Sequence, residues 1–135
     1  MKKQLLRRMP SGVPALHATG QSSQGYRAGN FVFLQGQTGM TLDGAFVAPG
    51  DPAGQTRQAL ENIRELMHLA GGTLDDVVKI VVYVTDRAYR AQVYPVIEEF
   101  FGPQIPCSTG LVVKGLAIED FLVEIDAYGV IDDEA

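Results

Sequence analysis

The stretch that decides the fold is VVKIVVYV, from Val77 to Val84. β-Branched residues dominate it, and such residues fit the pleated surface of a sheet better than the crowded surface of a helix. An apolar run of this length without polar alternation is typical of a strand that is covered on both faces. We therefore predict a buried strand over Val77–Val84.

A helix is predicted on each side of this strand. The first begins at Asp51-Pro52, because aspartate is a good N-cap and proline is tolerated at the first helical position, and it ends at Gly71-Gly72. Its apolar face consists of residues spaced three and four apart: Thr56, Ala59, Leu60, Ile63, Leu66, Met67 and Ala70. The second helix is predicted from Asp86 to Phe101, with a kink or restart at Pro95.

Further strands complete the predicted sheet. Phe31–Leu34 is a short apolar run bounded by turn residues, Asp43-Gly44 marks a turn, and two more strands are predicted at Thr109–Val113 and Phe121–Tyr128. The resulting order is β-β-α-β-α-β-β. This order predicts an α+β fold in which a mixed sheet carries both helices on one face.

The opposite face of such a sheet would be bare. The predicted strands are too apolar to face water, and large exposed apolar patches usually mark interfaces between proteins. We therefore expect several copies of the chain to pack through this face. Periodicity alone leaves the number of copies open.

Length and composition narrow the class of protein. With 135 residues, 46% of them hydrophobic and 20% charged, the chain is expected to be one globular domain, residues 1–135, with an extended or flexible N-terminal segment over residues 1–20. The net charge of −5 disfavours a nucleic-acid partner, and no apolar run approaches the length of a membrane span.

The single cysteine, Cys107, cannot form an internal disulfide, so a cytoplasmic location is expected. His17 and His68 are too far apart to suggest a metal site, and no cofactor motif is present, so neither a metal nor a cofactor is expected.

Five segments, in the same order along the chain, resemble the pattern of the Rid (YjgF/YER057c/UK114) family. They are Gly29–Gln37, Gln55–Ile63, Ala70–Lys79, Tyr94–Gly102 with the following Pro106, and Leu122–Ala127. Together these segments span nearly the whole chain. The resemblance implies a chorismate-mutase-like fold and a homotrimer whose sheets pack inward, with a small-molecule pocket in each cleft between subunits.

The resemblance also implies an activity. Rid enzymes hydrolyse reactive imines, the tautomers of enamines, to a keto acid and ammonia. The family holds the substrate carboxylate with an arginine in a Pro-Ala-Arg-Ser segment, and Ser108 occupies that position here. Ser22 stands where the family has a tyrosine, while the family's acidic residue near the C-terminus is retained as Glu124. The chain is therefore similar to an arginine-lacking branch of the family.

The missing arginine bears on the substrate. An arginine–carboxylate contact is worth about 1.5–3 kcal/mol, and a serine hydroxyl cannot replace it for an anion. The pocket therefore either binds a less anionic molecule, which we favour at this stage, or obtains a cation from elsewhere in the chain. The candidate cations are Arg27, Arg87, Arg90 and Lys114.

The resemblance and the residue types together give a set of candidate site residues. Glu124 is the predicted catalytic residue, because imine hydrolysis needs a group that orients water and passes a proton to the leaving amine; the alternative is a surface charge or an inter-subunit salt bridge. Cys107 is either a nucleophile or a small pocket-lining group. The predicted substrate-binding residues are Ser22, Gly36, Cys107, Ser108, Thr109 and Gly110.

Two functions follow from this set. The first is a hydrolase of the imine/enamine deaminase type, acting on a small C–N compound in a cleft between subunits. The alternative is a non-catalytic trimer that binds a small metabolite or a protein partner. A ribonuclease or translation inhibitor, a third activity that has been attached to the family, is disfavoured by the acidic charge.

Overall fold

The computed structural model describes residues 2–7 and 22–132. They form a six-stranded sheet and two α-helices. In chain order the elements are β1 (Lys3–Leu6), β2 (Gly25–Ala28), β3 (Phe31–Leu34), α1 (Pro52–Leu69), β4 (Val77–Val84), α2 (Arg90–Phe101), β5 (Cys107–Val112) and β6 (Val123–Val130). No helix within the described ranges is long and apolar enough to cross a membrane.

The sheet is mixed, as predicted. Its strand order is β1-β2-β3-β6-β4-β5. β4 and β5 run parallel, and every other neighbouring pair is antiparallel. The two long strands, β4 and β6, therefore lie side by side, and β5 forms one edge.

The core lies between the sheet and the two helices. Every residue of the predicted apolar face of α1 is buried. Alternate residues of β6 meet this face, and Val123, Ile125 and Ala127 are completely inaccessible to solvent. β4 contributes Ile80, Val82 and Val84 in the same way. Both helices thus cover one face of the sheet, which confirms the predicted α+β architecture.

Several element boundaries differ from the prediction. β5 spans Cys107–Val112 where Thr109–Val113 was predicted, and β6 spans Val123–Val130 where Phe121–Tyr128 was predicted. α2 begins at Arg90 and not at Asp86, because the Asp86 carboxylate accepts a hydrogen bond from the Ala88 N–H (2.9 Å) and caps a separate 3₁₀ turn over Arg87–Tyr89. The helix then runs through Pro95 without a break. Asp43-Gly44 does form a turn, but only one isolated bridge, between Met40 and Phe46, flanks it.

The structure adds an edge strand that the sequence analysis did not predict. Within the segment expected to be extended or flexible, Lys3–Leu6 pairs with β2, and Leu6 is buried. Of that segment, residues 1 and 8–20 lie outside the described residues, as do residues 21 and 133–135.

The face of the sheet opposite the helices is open in the single chain and rich in apolar side chains. We call it the open face. Phe31 and Phe33 project from it and are 50% and 49% exposed. Tyr128 packs edge-on against Phe33, with ring centroids 6.2 Å apart. A continuous aromatic surface of this kind is typical of an interface.

Gln55 connects α1 to the segment that precedes β6. Its side chain is fully buried, and its Nε2 donates to the carbonyls of Ala48 (3.2 Å) and Asp120 (3.1 Å). Its Oε1 accepts from the Leu122 N–H at 2.9 Å. The three bonds fix where the chain enters β6, and hence where Glu124 lies.

Replacing Gln55→Leu should lower the free energy of unfolding by about 2–4 kcal/mol, because three hydrogen bonds are lost and buried backbone groups are left without partners. Urea denaturation at one fixed protein concentration measures the change. Gln92→Leu, at an exposed position on α2, makes the same chemical change and should stay within about 0.5 kcal/mol of the natural chain. Equal effects of the two substitutions would show that the Gln55 bonds are not structural.

Candidate functional site

A cavity of about 320 Å³ opens where the chain leaves β3 and approaches β6. It is walled by the segment that follows β3, by the segment that precedes β6, and by Ser22. The lining residues are Ser22, Gln35, Gly36, Gln37, Thr38, Met40, Thr41, Leu42, Ala117, Phe121 and Glu124. Three predicted site residues, Ser22, Gly36 and Glu124, are therefore brought together.

A pair of backbone hydrogen bonds builds the floor of this cavity. The N–H of Gln37 donates to the Ile125 carbonyl and the N–H of Ile125 donates to the Gln37 carbonyl, both at 2.8 Å. Successive side chains of a strand point to opposite faces, so Ile125 enters the core while Glu124 turns toward Gly36. A Cβ on residue 36 would overlap Glu124 Oε2 and would lie 2.8 Å from Asp126 Oδ1. Glycine is therefore the residue that lets both carboxylates approach the backbone.

Burial is the main cause of a raised pKa at Glu124, and the neighbouring Asp126 charge adds to it. Asp126 Oδ2 in turn accepts a hydrogen bond from the Tyr83 hydroxyl at 2.7 Å. That bond is the largest cause that raises the pKa of Tyr83 to about 12. Glu124 thus stays protonated over a wider pH range than an ordinary glutamate, which suits a group that both accepts and donates protons.

Two glutamines beside Gly36 complete the polar wall. Gln35 Nε2 donates to Ser22 Oγ at 2.6 Å, and Gln37 Nε2 donates to the Gln35 carbonyl at 2.9 Å. Gln35 Oε1 is buried without a hydrogen-bond partner among the described residues. The sequence analysis did not single these glutamines out as site residues, although the segment Gln35-Gly36-Gln37 ends one of the five resembling segments and could have indicated them.

The other predicted site residues lie elsewhere. Cys107, Ser108, Thr109 and Gly110 belong to β5, which β4 separates from β6. None of the four lines the cavity of the single chain. The Cys107 thiol donates to the Val78 carbonyl at 3.1 Å.

The residues of β5 alternate between the two faces of the sheet. Lys79 Nζ donates to Thr109 Oγ1 at 2.7 Å, which places Thr109 on the open face. Ser108 is paired with Ile80, whose side chain is in the core, so Ser108 and Gly110 point toward the helix side. Thr109 and Gly110 therefore face opposite sides of the sheet.

A larger groove, of about 700 Å³, runs along the outside of α1. Two of its charged groups are paired: Arg64 bonds to Glu61 at 3.0 Å and stacks over the Phe100 ring, 4.9 Å from its centroid. His68 also lines this groove and is exposed. The smaller cavity contains Glu124, a carboxyl group whose pKa is raised, so we assign the candidate chemistry to it.

No group of three or more His, Cys, Asp or Glu side chains in residues 2–7 and 22–132 could hold a metal ion. His17 lies outside the described residues. The polar groups that the described lining residues present to the cavity are carboxyl, amide and hydroxyl groups.

Comparison with known proteins places this fold and cavity in a family. The profile of the family described as Endoribonuclease L-PSP matches residues 13–131. A RutC family protein of Pyrococcus horikoshii, PH0854, is 39% identical over 108 residues, which cover 80% of this chain and 85% of that protein. A second RutC family protein, PYRAB12510 of Pyrococcus abyssi, is 35% identical over 108 residues, or 80% of this chain and 84% of the relative.

Solved structures agree with these relatives. The crystal structure of Rv2704 from Mycobacterium tuberculosis, described as a member of the YjgF/YER057c/UK114 family, superposes with a TM-score of 0.82 at 31% identity and covers 96% of this chain and all of its own. The YjgF gene product of E. coli gives a TM-score of 0.80 at 30% identity, covering 94% and 98% of the two chains. Because the family profile spans nearly the whole sequence, the chain belongs to the Endoribonuclease L-PSP family, which is the Rid, or YjgF/YER057c/UK114, family.

Proposed function

We propose that the chain is a hydrolase of the imine/enamine deaminase type that acts on a small C–N compound in a cleft between subunits. The observation that carries this proposal is Glu124, a partly buried carboxyl with a raised pKa that lies against the Gly36 backbone in a small polar cavity. Membership of the Rid family supports a Rid-like function.

The reaction needs one proton carrier and one water molecule. Water adds to the carbon of the C=N bond while one of its protons passes to the nitrogen, which gives a carbinolamine. The remaining hydroxyl proton then passes to the nitrogen as the C–N bond breaks, which leaves a carbonyl and ammonia. Glu124 as a carboxylate would accept the proton of the attacking water and would then donate it to the departing nitrogen. A pKa raised toward neutrality favours both steps at the same pH.

The separation of the predicted site residues supports a site between subunits. Glu124 and Gly36 lie together at the cavity, whereas Ser108 and Gly110 lie on an edge strand and point to the other side of the sheet. A site that includes both sets therefore requires two chains. The aromatic open face supplies the surface through which they could meet, and a homotrimer with inward-packed sheets would bury it.

The charge of the cavity constrains the charge of the substrate that it can bind. Glu124 is the only ionisable group among the described residues that line it, so these residues contribute negative charge and no cation. Taken alone, this lining agrees with the sequence-based preference for a substrate that is less anionic than an imino acid. An anionic substrate would need a cation from the other half of the cleft.

A trimer that binds a metabolite without converting it is the alternative. No cation is found among the lining residues that the structure describes, which favours this alternative, since a catalytic site for imino acids needs one. The ribonuclease activity in the family's description is less well supported for this chain. Its net charge of −5 and the carboxylate in the cavity would both repel a phosphate backbone.

Ammonia release from a panel of imines generated in situ, both neutral and anionic, tests the proposal. Glu124→Gln should lower the rate by about 10²–10⁴-fold, because the amide cannot carry a proton between water and nitrogen. The matched control is Glu119→Gln, an exposed carboxylate in the segment before β6, which should keep the full rate. An unchanged rate in Glu124→Gln would remove Glu124 from the mechanism, and tight binding without turnover would favour the non-catalytic trimer.

Thermal stability should report the raised pKa of Glu124 independently of activity. The folded chain holds this proton more tightly than the unfolded chain, so stability falls as the pH rises from the ordinary value of 4.5 through the folded pKa. Glu124→Gln removes the buried charge and should therefore raise the melting temperature at pH 7.5 but not at pH 4. Glu119→Gln should show no such pH-dependent difference. An equal effect of Glu124→Gln at both pH values would contradict the shift.

Sedimentation equilibrium tests the assembly. The natural chain should sediment at three times its chain mass, and Phe33→Asp should sediment as a monomer, because it places a charge in the middle of the open face. Leu69→Asp makes a similar change at an exposed apolar residue of α1, on the helix side of the sheet, and should leave the trimer intact. A trimer that survives Phe33→Asp would exclude the open face as the interface.

A further inference from the structure

The guanidinium group of Arg90, the first residue of α2, packs against β5 at Gly110, where the strand has no side chain. Ser108, Gly110 and Val112 are the residues of β5 that point to the helix side. A Cβ on residue 110 would lie 2.5 Å from Arg90 Nη1 and 2.7 Å from the hydroxyl oxygen of Tyr94. The guanidinium therefore lies directly over the strand, and only a glycine at position 110 permits this.

Tyr94, one helical turn after Arg90, holds the guanidinium in place. Arg90 Nη1 donates to the Tyr94 hydroxyl at 3.2 Å, and Arg90 Cζ lies 4.6 Å from the centroid of the Tyr94 ring. No carboxylate within residues 2–7 and 22–132 forms an ion pair with Arg90. The cation is thus positioned by an aromatic side chain, and its charge is not neutralised by a neighbour.

The structure separates Arg90 from the other candidate cations. Arg27 donates to the carbonyls of Gly29 (2.9 Å) and Ala70 (2.7 Å), so it links β2 to the end of α1. Arg87 lies in the 3₁₀ turn before α2, and Lys114 follows the end of β5; both are exposed. Among the four, Arg90 is the one whose charged group is fixed against β5.

We propose that Arg90 binds the anionic group of the ligand, and that the ligand is therefore a small carboxylate. A guanidinium presents paired N–H groups that match the two oxygens of a carboxylate. The Ser108 hydroxyl, two residues from Gly110 on the same side of β5, is a further donor for that group. This inference rests on the proposed cleft between subunits. The sequence alone favoured a substrate that is less anionic than an imino acid. With Arg90 as the cation that replaces the missing family arginine, an anionic substrate is favoured instead.

Isothermal titration of the full chain with pyruvate and with its neutral analogue pyruvamide tests Arg90 without requiring turnover. The natural chain should bind pyruvate more tightly than pyruvamide. Arg90→Gln should weaken pyruvate binding by about 10- to 100-fold and leave pyruvamide binding unchanged, whereas Arg90→Lys should retain part of the preference. Arg87→Gln and Lys114→Gln remove one nearby charge each and should match the natural chain.

Gly110→Ala is a second variant that leaves the arginine in the sequence but moves it. The new methyl group would take the place of Arg90 Nη1, and the end of a long side chain can swing away at little cost. Because residue 110 is exposed, the melting temperature should not change, while pyruvate affinity should fall toward that of Arg90→Gln. Gel filtration of every variant checks that the oligomeric state is the same.

Three results would overturn the assignment. They are equal pyruvate affinity in Arg90→Gln and the natural chain, a loss that appears in Lys114→Gln instead, and binding of pyruvamide but not pyruvate by the natural chain. Arg90-dependent pyruvate binding without ammonia release from any imine would uphold Arg90 and reject the hydrolase. The failure of this inference and the failure of the proposed function are thus distinguishable.

Discussion

The two backbone hydrogen bonds between Gln37 and Ile125 are the constraint on which the rest of the site depends. They extend the contact between β3 and β6 beyond the end of β3, and so hold Gly36 against the carboxylates of β6. A slip of one residue in this register would turn Ile125 out of the core and Glu124 into it. The buried side of β6, from Val123 to Ala127, makes such a slip costly, because three fully buried apolar residues would become exposed together.

The same alternation links the site to assembly. On β6 the residues that do not enter the core are Glu124, Asp126, Tyr128 and Val130, so the carboxylates share the open face with an aromatic patch. Covering this face with other subunits would remove water from the carboxylates and strengthen the burial that already raises the pKa of Glu124. In the proposed trimer, oligomerisation and the chemistry of Glu124 are therefore coupled through one strand.

Local sequence patterns predicted the parts of the fold that local forces determine. The three- and four-residue spacing of α1 predicted its buried face, and the β-branched run predicted β4. Features that depend on distant contacts were not predictable in this way. Pairing of Lys3–Leu6 with β2 needs partners about twenty residues away, and the burial of Gln55 becomes intelligible only when the carbonyls it satisfies are known. Likewise, Arg90 was one of four candidate cations in the sequence. Its position over Gly110 depends on the packing of α2 against β5, which the sequence did not predict.

The positions of Glu124 and Arg90 give a physical reason why the proposed site is divided between two subunits. A carboxylate that moves protons and a guanidinium that binds an anion would neutralise each other if they formed an ion pair, and the pairing would lower the pKa of the carboxyl group. Within one chain this is prevented, because Glu124 lies on the open face of β6 while Arg90, at the start of α2, lies on the helix side over β5, and β4 separates the two strands. In the proposed cleft, Glu124 of one subunit and Arg90 of the next would approach a ligand from opposite ends. A small imino acid has its carboxylate at one end and its C–N bond at the other. In this arrangement Arg90 would bind the carboxylate and Glu124 would lie beside the C–N bond.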